Sequence, residues 1–174
     1  MVAIDADFCP TCGVELGTAE VEGRDRLWCP DCEEVVWHNP VPTAGVVVRE
    51  GDRALVAERG PPREGQWTVP GGFIEYDESA PEAAARELRE ETSIQVDPED
   101  LRLLATHHHH WTDGVHTLLI RYVVDRELTT GEPETGSDVK RAEFRTSEEF
   151  TAEQVHPANR RFVRLALERA EPDR

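Results

Sequence analysis

A short acidic stretch, residues 79–92, limits the folds open to this chain more than any other feature. Its first residues, Ser79-Ala-Pro-Glu82, form a capping-box pattern, which predicts that a helix begins there and continues to the end of the stretch. Glu87, Glu90 and Glu91 follow at spacings i, i+3 and i+4, so a helix places their carboxylates on one face. Three like charges destabilise a bare helix, and a hard cation such as magnesium, manganese or calcium relieves the repulsion. A solvated acidic helix face is the alternative, and the carboxylates alone do not decide between the two.

The neighbouring residues extend this acidic stretch into a longer pattern. The segment from Gly72 to Ile94 resembles the Nudix box, G-x5-E-x7-R-E-U-x-E-E-x-G-U, in which U is a bulky aliphatic residue. Every fixed position matches except the second glycine, which is Ser93 here. Glycine normally adopts a left-handed turn at such a helix end, so serine costs about 1 kcal/mol of local strain. The resemblance extends over roughly residues 43–165 once the flanking strands are included.

The resemblance to the Nudix family implies a site as well as a fold. The implied fold is α+β, a Nudix α/β/α sandwich with a mixed sheet. The implied chemistry is in-line attack of water on phosphorus, which magnesium or manganese ions assist by neutralising the charge of the diphosphate. By the same resemblance, the residues expected to hold the catalytic ions are Glu87, Glu90 and Glu91.

Further residues gain expected roles from the resemblance. Arg86 is expected to orient the glutamates through salt bridges, while Gly71 and Gly72 allow close approach of the loop to metal and phosphate. Glu78 is a candidate ligand or loop anchor. Members of the family often carry a further acid in a later loop, for which the candidate is Asp138, with Glu134 and Glu143 as rivals.

The rest of the chain has strand and helix patterns without a strict strand-helix-strand rhythm. This mixture predicts a mixed sheet covered by helices. A final helix is expected from about Pro157 to Ala170, with Phe162, Leu165 and Ala166 on its apolar face. The predicted strands are Ala44–Val48, Ala54–Ala57, Trp67–Val69, Leu101–Thr106, Val115–Val124 and Ala142–Arg145.

All four cysteines lie near the N-terminus, in two C-x2-C pairs separated by sixteen residues. Each pair lets two thiolates of one tight turn face a single tetrahedral ion, so the doubled pair predicts a structural zinc site with Cys9, Cys12, Cys29 and Cys32 as ligands. Four protein ligands leave no open position for water, which excludes a catalytic role for this zinc. We expect three segments: a zinc ribbon over residues 1–38, a proline-stiffened linker over 39–42, and a Nudix domain over 43–174.

The charge balance restricts the partners of the chain. It has 36 acidic and 19 basic residues, a formal net charge of −17, and a single lysine. Such a surface repels nucleic-acid backbone, so no nucleic-acid partner is expected. A salt-rich cytoplasm would screen the self-repulsion, which favours a halophilic source over an ordinary solvated surface. No signal-peptide pattern and no long apolar run are present, so we expect a cytoplasmic protein without a membrane partner.

The joining of a zinc ribbon to a Nudix box resembles the NADH, ADP-ribose and FAD pyrophosphatases. A small-molecule nucleotide is therefore the expected substrate, with ADP-ribose or a related ADP-linked compound favoured. The Ser-Gln-Pro-Trp-Pro-Phe-Pro-like motif of the NADH enzymes is absent from Gln95–Trp111, and the proline of many ADP-ribose enzymes is absent too. Trp67 and Trp111 are candidates for stacking on a base, and equally for the core.

A histidine run, His107 to His110, interrupts the region after the box. Because side chains alternate along a strand, His107 and His109 should face one way and the other two the opposite way. Four histidines therefore cannot converge easily on one metal. Contact of one of them with phosphate or ribose is the preferred interpretation.

Three other functions remain open from the sequence. A Nudix domain that senses nucleotide sugars without turnover usually lacks box glutamates, which this chain keeps. A nucleoside-triphosphate pyrophosphatase would use the same box. The zinc ribbon could bind a protein partner or support a homodimer, and the sequence does not separate these.

Overall fold

The computed structural model describes residues 6–112, 114–136, 139–149 and 155–168, except for the side chains of residues 111 and 112. The chain divides into two compact units, one of residues 1–41 and 108–118 and the other of residues 42–107 and 119–174. The domain boundaries at residues 38 and 43 stay a prediction. Within the described residues, no helix combines the length and apolar character needed to cross a membrane.

The first unit contains a small antiparallel sheet of β1 (Gly17–Val21), β2 (Arg24–Cys29) and β3 (Glu34–Val35). Strands β1 and β2 are joined by Glu22 and Gly23, both with positive φ, the conformation that a tight hairpin turn requires. Its buried apolar cluster consists of Cys9, Cys29 and Val36, with Leu16, Leu27 and Cys32 packed against it. So little apolar burial cannot stabilise the sheet alone, which is the situation in which small units depend on a metal.

A larger sheet organises the second unit. The strands are β4 (Val41–Glu50), β5 (Arg53–Arg59), β6 (Trp67–Thr68), β7 (Gly71–Phe73), β8 (Gln95–Val96), β9 (Arg102–Thr112), β10 (Val115–Asp125), β11 (Thr129–Thr130) and β12 (Val139–Thr146), and the helices are α1 (Ala80–Thr92) and α2 (Pro157–Glu168). The order in the larger sheet is β12-β5-β4-β10-β9. The short strands β6 and β7 pair antiparallel with β5 and β4. The predicted mixed sheet with helices is confirmed.

The sheet buries both of its faces, which explains why β4 is almost continuously apolar. Ala44, Val46 and Val48 belong to a cluster with Leu88 of α1. The alternate residue Val47 belongs to a second cluster, which includes α2. The α2 residues of that cluster are Ala158, Phe162, Val163 and Ala166, while Leu165 packs against it.

The capping box of α1 forms as the sequence predicts. The Ser79 backbone amide donates to the Glu82 carboxylate at 2.7 Å, and the Glu82 amide donates to the Ser79 hydroxyl at 3.5 Å. At the other end, Ser93 takes the left-handed conformation with φ of 62°, as glycine does in the family pattern.

A later loop satisfies the carbonyl groups at the end of α1. The Glu134 amide donates to the Thr92 carbonyl at 2.9 Å, and the Gly136 amide donates to the Glu91 carbonyl at 3.2 Å. Any side chain at position 136 would collide with the Glu90 carbonyl, so glycine is required there. This loop holds the end of the acidic helix at a fixed position in the second unit.

Candidate active site

Two glycines bring the loop after β6 against strand β4. Gly71 has φ of 154°, and a Cβ atom there would lie 2.6 Å from Gly45 Cα. A Cβ atom at Gly45 would in turn collide with the Pro70 carbonyl. Because neither position tolerates a side chain, β7 crosses close to β4 and its backbone faces α1.

The carboxylates of α1 meet this glycine backbone. The Gly71 amide donates a hydrogen bond of 2.9 Å to Glu91 Oε2, and Glu91 is only 7% exposed. Glu87 lies against Gly72, since a Cβ atom at position 72 would be 2.6 Å from Glu87 Oε2. Gly71 therefore provides a hydrogen-bond donor, and Gly72 provides the space for a carboxylate.

Arg86 donates hydrogen bonds to three glutamates of the acidic face and the preceding loop. Its Nε and Nη2 donate to both oxygens of Glu78 at 3.0 and 2.7 Å, a bidentate pair. Its Nη1 donates to Glu87 at 2.8 Å and to Glu90 at 3.2 Å. Nη2 also donates to the Phe73 carbonyl at 3.0 Å, which ties the helix to β7. The expected orienting role of Arg86 matches these contacts and stays a prediction.

The ion pair between Arg86 and Glu78 shifts both groups toward their charged forms. The Arg86 hydrogen bonds hold the pKa of Glu78 below its usual value, and the Glu78 contact is the main reason that the pKa of Arg86 is raised. The Glu75 amide donates to the same carboxylate at 2.8 Å. Glu78 thus contacts the loop before α1, and its role as ligand or loop anchor stays a prediction.

The donor set on α1 fits a hard divalent cation. Glu87, Glu90 and Glu91 offer carboxylate oxygens on one helical face, beside the Gly71-Gly72 backbone. Two of the three also pair with Arg86, Glu87 at 2.8 Å and Glu90 at 3.2 Å. A magnesium or manganese ion at this face stays a prediction.

The further acids predicted for the site stay predictions. Asp138 lies outside the described residues. Glu143 on β12 pairs with Arg145 at 2.5 Å, and Glu134 contributes its backbone amide to the end of α1. Trp67 is buried at 4% exposure with the Arg145 guanidinium 3.6 Å from its ring centroid, so this side is already stacked.

Among the described residues of the second unit, three buried charged groups were not predicted from the sequence: Arg49, Glu58 and Arg121. Glu58 on β5 is 6% exposed and receives a hydrogen bond of 2.9 Å from Arg141 Nε. Arg121 on β10 is also 6% exposed, and its Nε has no hydrogen-bond partner among the described residues. The available signal was a single arginine within the apolar strand Leu118–Val124.

The four cysteines of the first unit converge as a metal site requires. Their sulfur atoms all lie within 4.8 Å of one another, with Cys9 and Cys32 at 3.9 Å and Cys12 and Cys29 at 3.4 Å. Zinc–sulfur bonds of about 2.3 Å in a tetrahedron place sulfurs about 3.8 Å apart, so the residues fit zinc. The fold is compatible with the predicted zinc ribbon.

Backbone amides donate hydrogen bonds to two of these cysteine sulfurs. The Thr11 amide donates to Cys9 Sγ and the Cys32 amide to Cys29 Sγ, both at 3.4 Å. Hydrogen bonds from the backbone at Cys12 and Thr11 lower the pKa of Cys9 to about 6. Hydrogen bonding with Cys12 is the main cause that raises the pKa of Cys32, as crowded thiols resist losing further protons.

The histidine run alternates on β9 as expected. His108 and His110 are exposed, whereas His107 and His109 are half-buried. His116 on β10 joins the exposed pair, with ring centroids 4.9 Å from His108 and 4.8 Å from His110. The sequence did not indicate this third member, since only strand pairing brings it there. A phosphate or ribose contact from this run stays a prediction.

Comparison with known proteins decides the family. The family model described as NUDIX domain matches residues 39–166, most of the chain. The chain belongs to the Nudix family. The NAD-capped RNA hydrolase NudC of Vibrio vulnificus is 33% identical over 96 residues, which cover 51% of this chain and 33% of that protein. NudC of Escherichia coli K12 is 34% identical over 89 residues, with 51% of this chain and 34% of that protein covered.

This Nudix chain spans about a third of the length of these curated relatives. Among solved structures, a NUDIX hydrolase from Nitrosomonas europaea has a TM-score of 0.73 with 24% identity, covering 95% of this chain and 92% of that one. At this identity the likeness concerns the fold. Almost the full length of both chains therefore shares one architecture.

Proposed function

We propose that this protein is a hydrolase that uses magnesium or manganese to cleave the phosphoanhydride bond of an ADP-linked small molecule. The observation that carries the proposal is the α1 carboxylate face set against the Gly71-Gly72 backbone in a chain of the Nudix family. ADP-ribose is the favoured substrate, and cleavage between its phosphates yields AMP and ribose 5-phosphate.

Each residue of the face has a proposed task. Glu87, Glu90 and Glu91 would hold the cation, which when bound neutralises diphosphate charge and activates water. Arg86 keeps Glu87 and Glu90 in place through its Nη1 contacts. The Gly71 amide fixes the buried Glu91 carboxylate. The proton of the attacking water would pass to one of these carboxylates or to a loop acid, for which Asp138 is the candidate with Glu134 and Glu143 as rivals.

The other predicted features complete the proposal. The ribbon of residues 1–38 would hold a structural zinc ion through its four cysteines, joined by the linker 39–42 to a catalytic domain of residues 43–174. We place the protein in a salt-rich cytoplasm because of its charge of −17. We also propose that the ribbon supports a homodimer, which sedimentation would test.

The sequence similarity to the NudC proteins supports a dinucleotide-type substrate, since those relatives are named NAD-capped RNA hydrolases. Both the NADH motif and the proline of many ADP-ribose enzymes are absent, so ADP-ribose is favoured by the joining of the zinc ribbon to the Nudix box. Capped RNA is the second candidate, favoured by the names of the relatives. The charge of −17 weighs against it, because RNA backbone would be repelled.

A substrate panel tests the proposal. ADP-ribose, NADH, FAD, ATP and NAD-capped RNA are incubated with magnesium in dilute buffer and in molar potassium chloride. Chromatography should show AMP from ADP-ribose at the highest kcat/KM. A preference for ATP would instead establish a triphosphate pyrophosphatase, and a preference for capped RNA would overturn the small-molecule assignment. Binding of nucleotide sugars without turnover of any compound would identify a sensing domain.

A further inference from the structure

Arg121 is a buried cation that the proposed chemistry has not used. It lies on β10 between Leu119 and Val123, which both belong to the α2-side core cluster. Its Nη1 donates to Thr43 Oγ1 at 3.4 Å and to the Ile120 carbonyl at 3.3 Å. These two long hydrogen bonds engage neutral oxygens only.

The remainder of the Arg121 guanidinium lacks strong partners. Its Nε is buried and has no hydrogen-bond partner within the part of the chain that the structure describes, and its central carbon lies 5.7 Å from the Phe162 ring centroid. No ion pair to a carboxylate is found for it among the residues that the structure describes. A buried charge in this state carries a large desolvation cost that its own contacts do not offset.

Two charged groups of the second unit act on Arg121. Burial is the main cause that lowers the pKa of Arg121 to about 10, the Glu91 carboxylate raises it, and the Arg59 guanidinium lowers it. The side chain is therefore still a cation at neutral pH. Glu91 is the carboxylate that receives the Gly71 hydrogen bond, so Arg121 lies within electrostatic range of the proposed metal-binding face.

The strand register places Arg121 beside the same loop. Its hydrogen-bond partner Thr43 is paired with Phe73 across β4 and β7, and Gly45, which follows Thr43 on the same face of β4, is paired with Gly71. The guanidinium thus lies close to the backbone that borders the acidic face. The Arg121 guanidinium has few partners and lies in electrostatic range of a carboxylate that would bind the metal, so it suits an anion that also binds that metal. A guanidinium offers paired donors that match phosphate oxygens.

We propose that Arg121 binds the diphosphate group of the substrate, with Nε among the donors. This inference rests on the proposed function for the identity of the anion. Arg121 makes the contact that compensates its burial only when the diphosphate is present. A purely structural role, in which the side chain fills the core against Phe162, is the competing account.

The test uses the full chain and the non-hydrolysable probe α,β-methylene-ADP with magnesium. Arg121→Met preserves much of the side-chain volume and removes the charge, and Arg121→Lys keeps the charge without the paired donors. Arg102→Met is the matched control, because it removes an arginine from an exposed site on the neighbouring strand. Calorimetry gives the Kd of the probe, and urea denaturation gives the free energy of unfolding of each variant.

We expect Arg121→Met to raise the Kd of the probe by about tenfold or more. Arg121→Lys should have an intermediate Kd, and Arg102→Met should have the Kd of the wild type. The free energy of unfolding of Arg121→Met should equal or exceed that of the wild type, since an uncompensated buried charge is lost. Wild-type affinity in Arg121→Met, or a stability loss that Arg121→Lys shares without a change in Kd, would overturn the inference.

The two proposals fail separately. Hydrolysis of ADP-ribose with the same KM in wild type and Arg121→Met would leave the function intact and refute the role of Arg121. If the chain hydrolyses no ADP-linked compound but binds the probe more weakly as Arg121→Met, the role of Arg121 stands and the proposed function is refuted.

Discussion

The Gly71 amide donates a 2.9 Å hydrogen bond to the Glu91 carboxylate, and this contact joins the β7 backbone to the acidic helix. Glu91 is 7% exposed, so its charge depends on this donor and on nearby cations rather than on water. The same backbone leaves space for Glu87 at Gly72. The Gly71-Gly72 backbone and helix α1 therefore position these carboxylates together, so a change in either should lower the rate of hydrolysis.

Gly72→Ala should lower kcat/KM on the order of 100-fold, because the new methyl group occupies the place of the Glu87 carboxylate and shifts it. The steady-state rate on ADP-ribose with magnesium is the measurement. Gly17→Ala is the control, since a Cβ atom there meets nothing within 4 Å. Equal activity in the two variants would show that Glu87 does not need its observed position.

Glu78→Gln should remove part of the acid sensitivity of folding. The Arg86 contact lowers the pKa of Glu78 below its usual value of 4.5, so the folded state holds the charged form more strongly than the unfolded chain does. Its stabilisation is present above pH 4.5 and is lost as the pH falls through the lower folded-state pKa. Urea denaturation from pH 7 to pH 3 should show a shallower acid loss in the variant. A parallel curve of the same slope would contradict this linkage.

Purified protein should contain one zinc ion per chain, bound by the four cysteines. Cys29→Ser should remove the ion and unfold the small first sheet, because its buried core is too small without metal. Elemental analysis and hydrogen exchange over residues 6–41 measure both effects. Asp31→Ser, at an exposed position in the second cysteine pair, serves as control. Zinc-free protein with full exchange protection would refute the site.

Molar potassium chloride should raise the free energy of unfolding, because a net charge of −17 repels itself in dilute buffer. Thermal unfolding at 0.05 M and at 2 M salt, on the order of a 40-fold difference in screening ions, measures the effect. Potassium glutamate at equal ionic strength controls for the nature of the anion. Equal midpoints at both concentrations would reject adaptation to a salty cytoplasm.

Local patterns predicted much of the fold. The capping box fixed the start of α1, and the left-handed Ser93 is where the box places glycine. The cysteine spacing likewise predicted the gathered sulfurs, since each pair forms its own tight turn. These features depend on residues close together in the chain.

Features that depend on strand pairing were not predictable in this way. Arg121 gains its position from β4 and α2, and His116 joins His108 only because β9 and β10 pair. The end of β9 was expected near Thr106, yet the strand continues through the histidines to Thr112. Histidine has little strand preference of its own, so pairing with β10 decides this extension.

The central claim is that the α1 carboxylates support diphosphate hydrolysis. Glu91→Gln keeps an acceptor for the Gly71 amide while removing the charge that would bind the cation. The decisive measurement is AMP release from ADP-ribose under saturating magnesium, for wild type and Glu91→Gln, with circular dichroism to verify folding. We expect kcat to fall by about 100-fold or more in a folded variant. Equal AMP release by the two proteins would contradict the account.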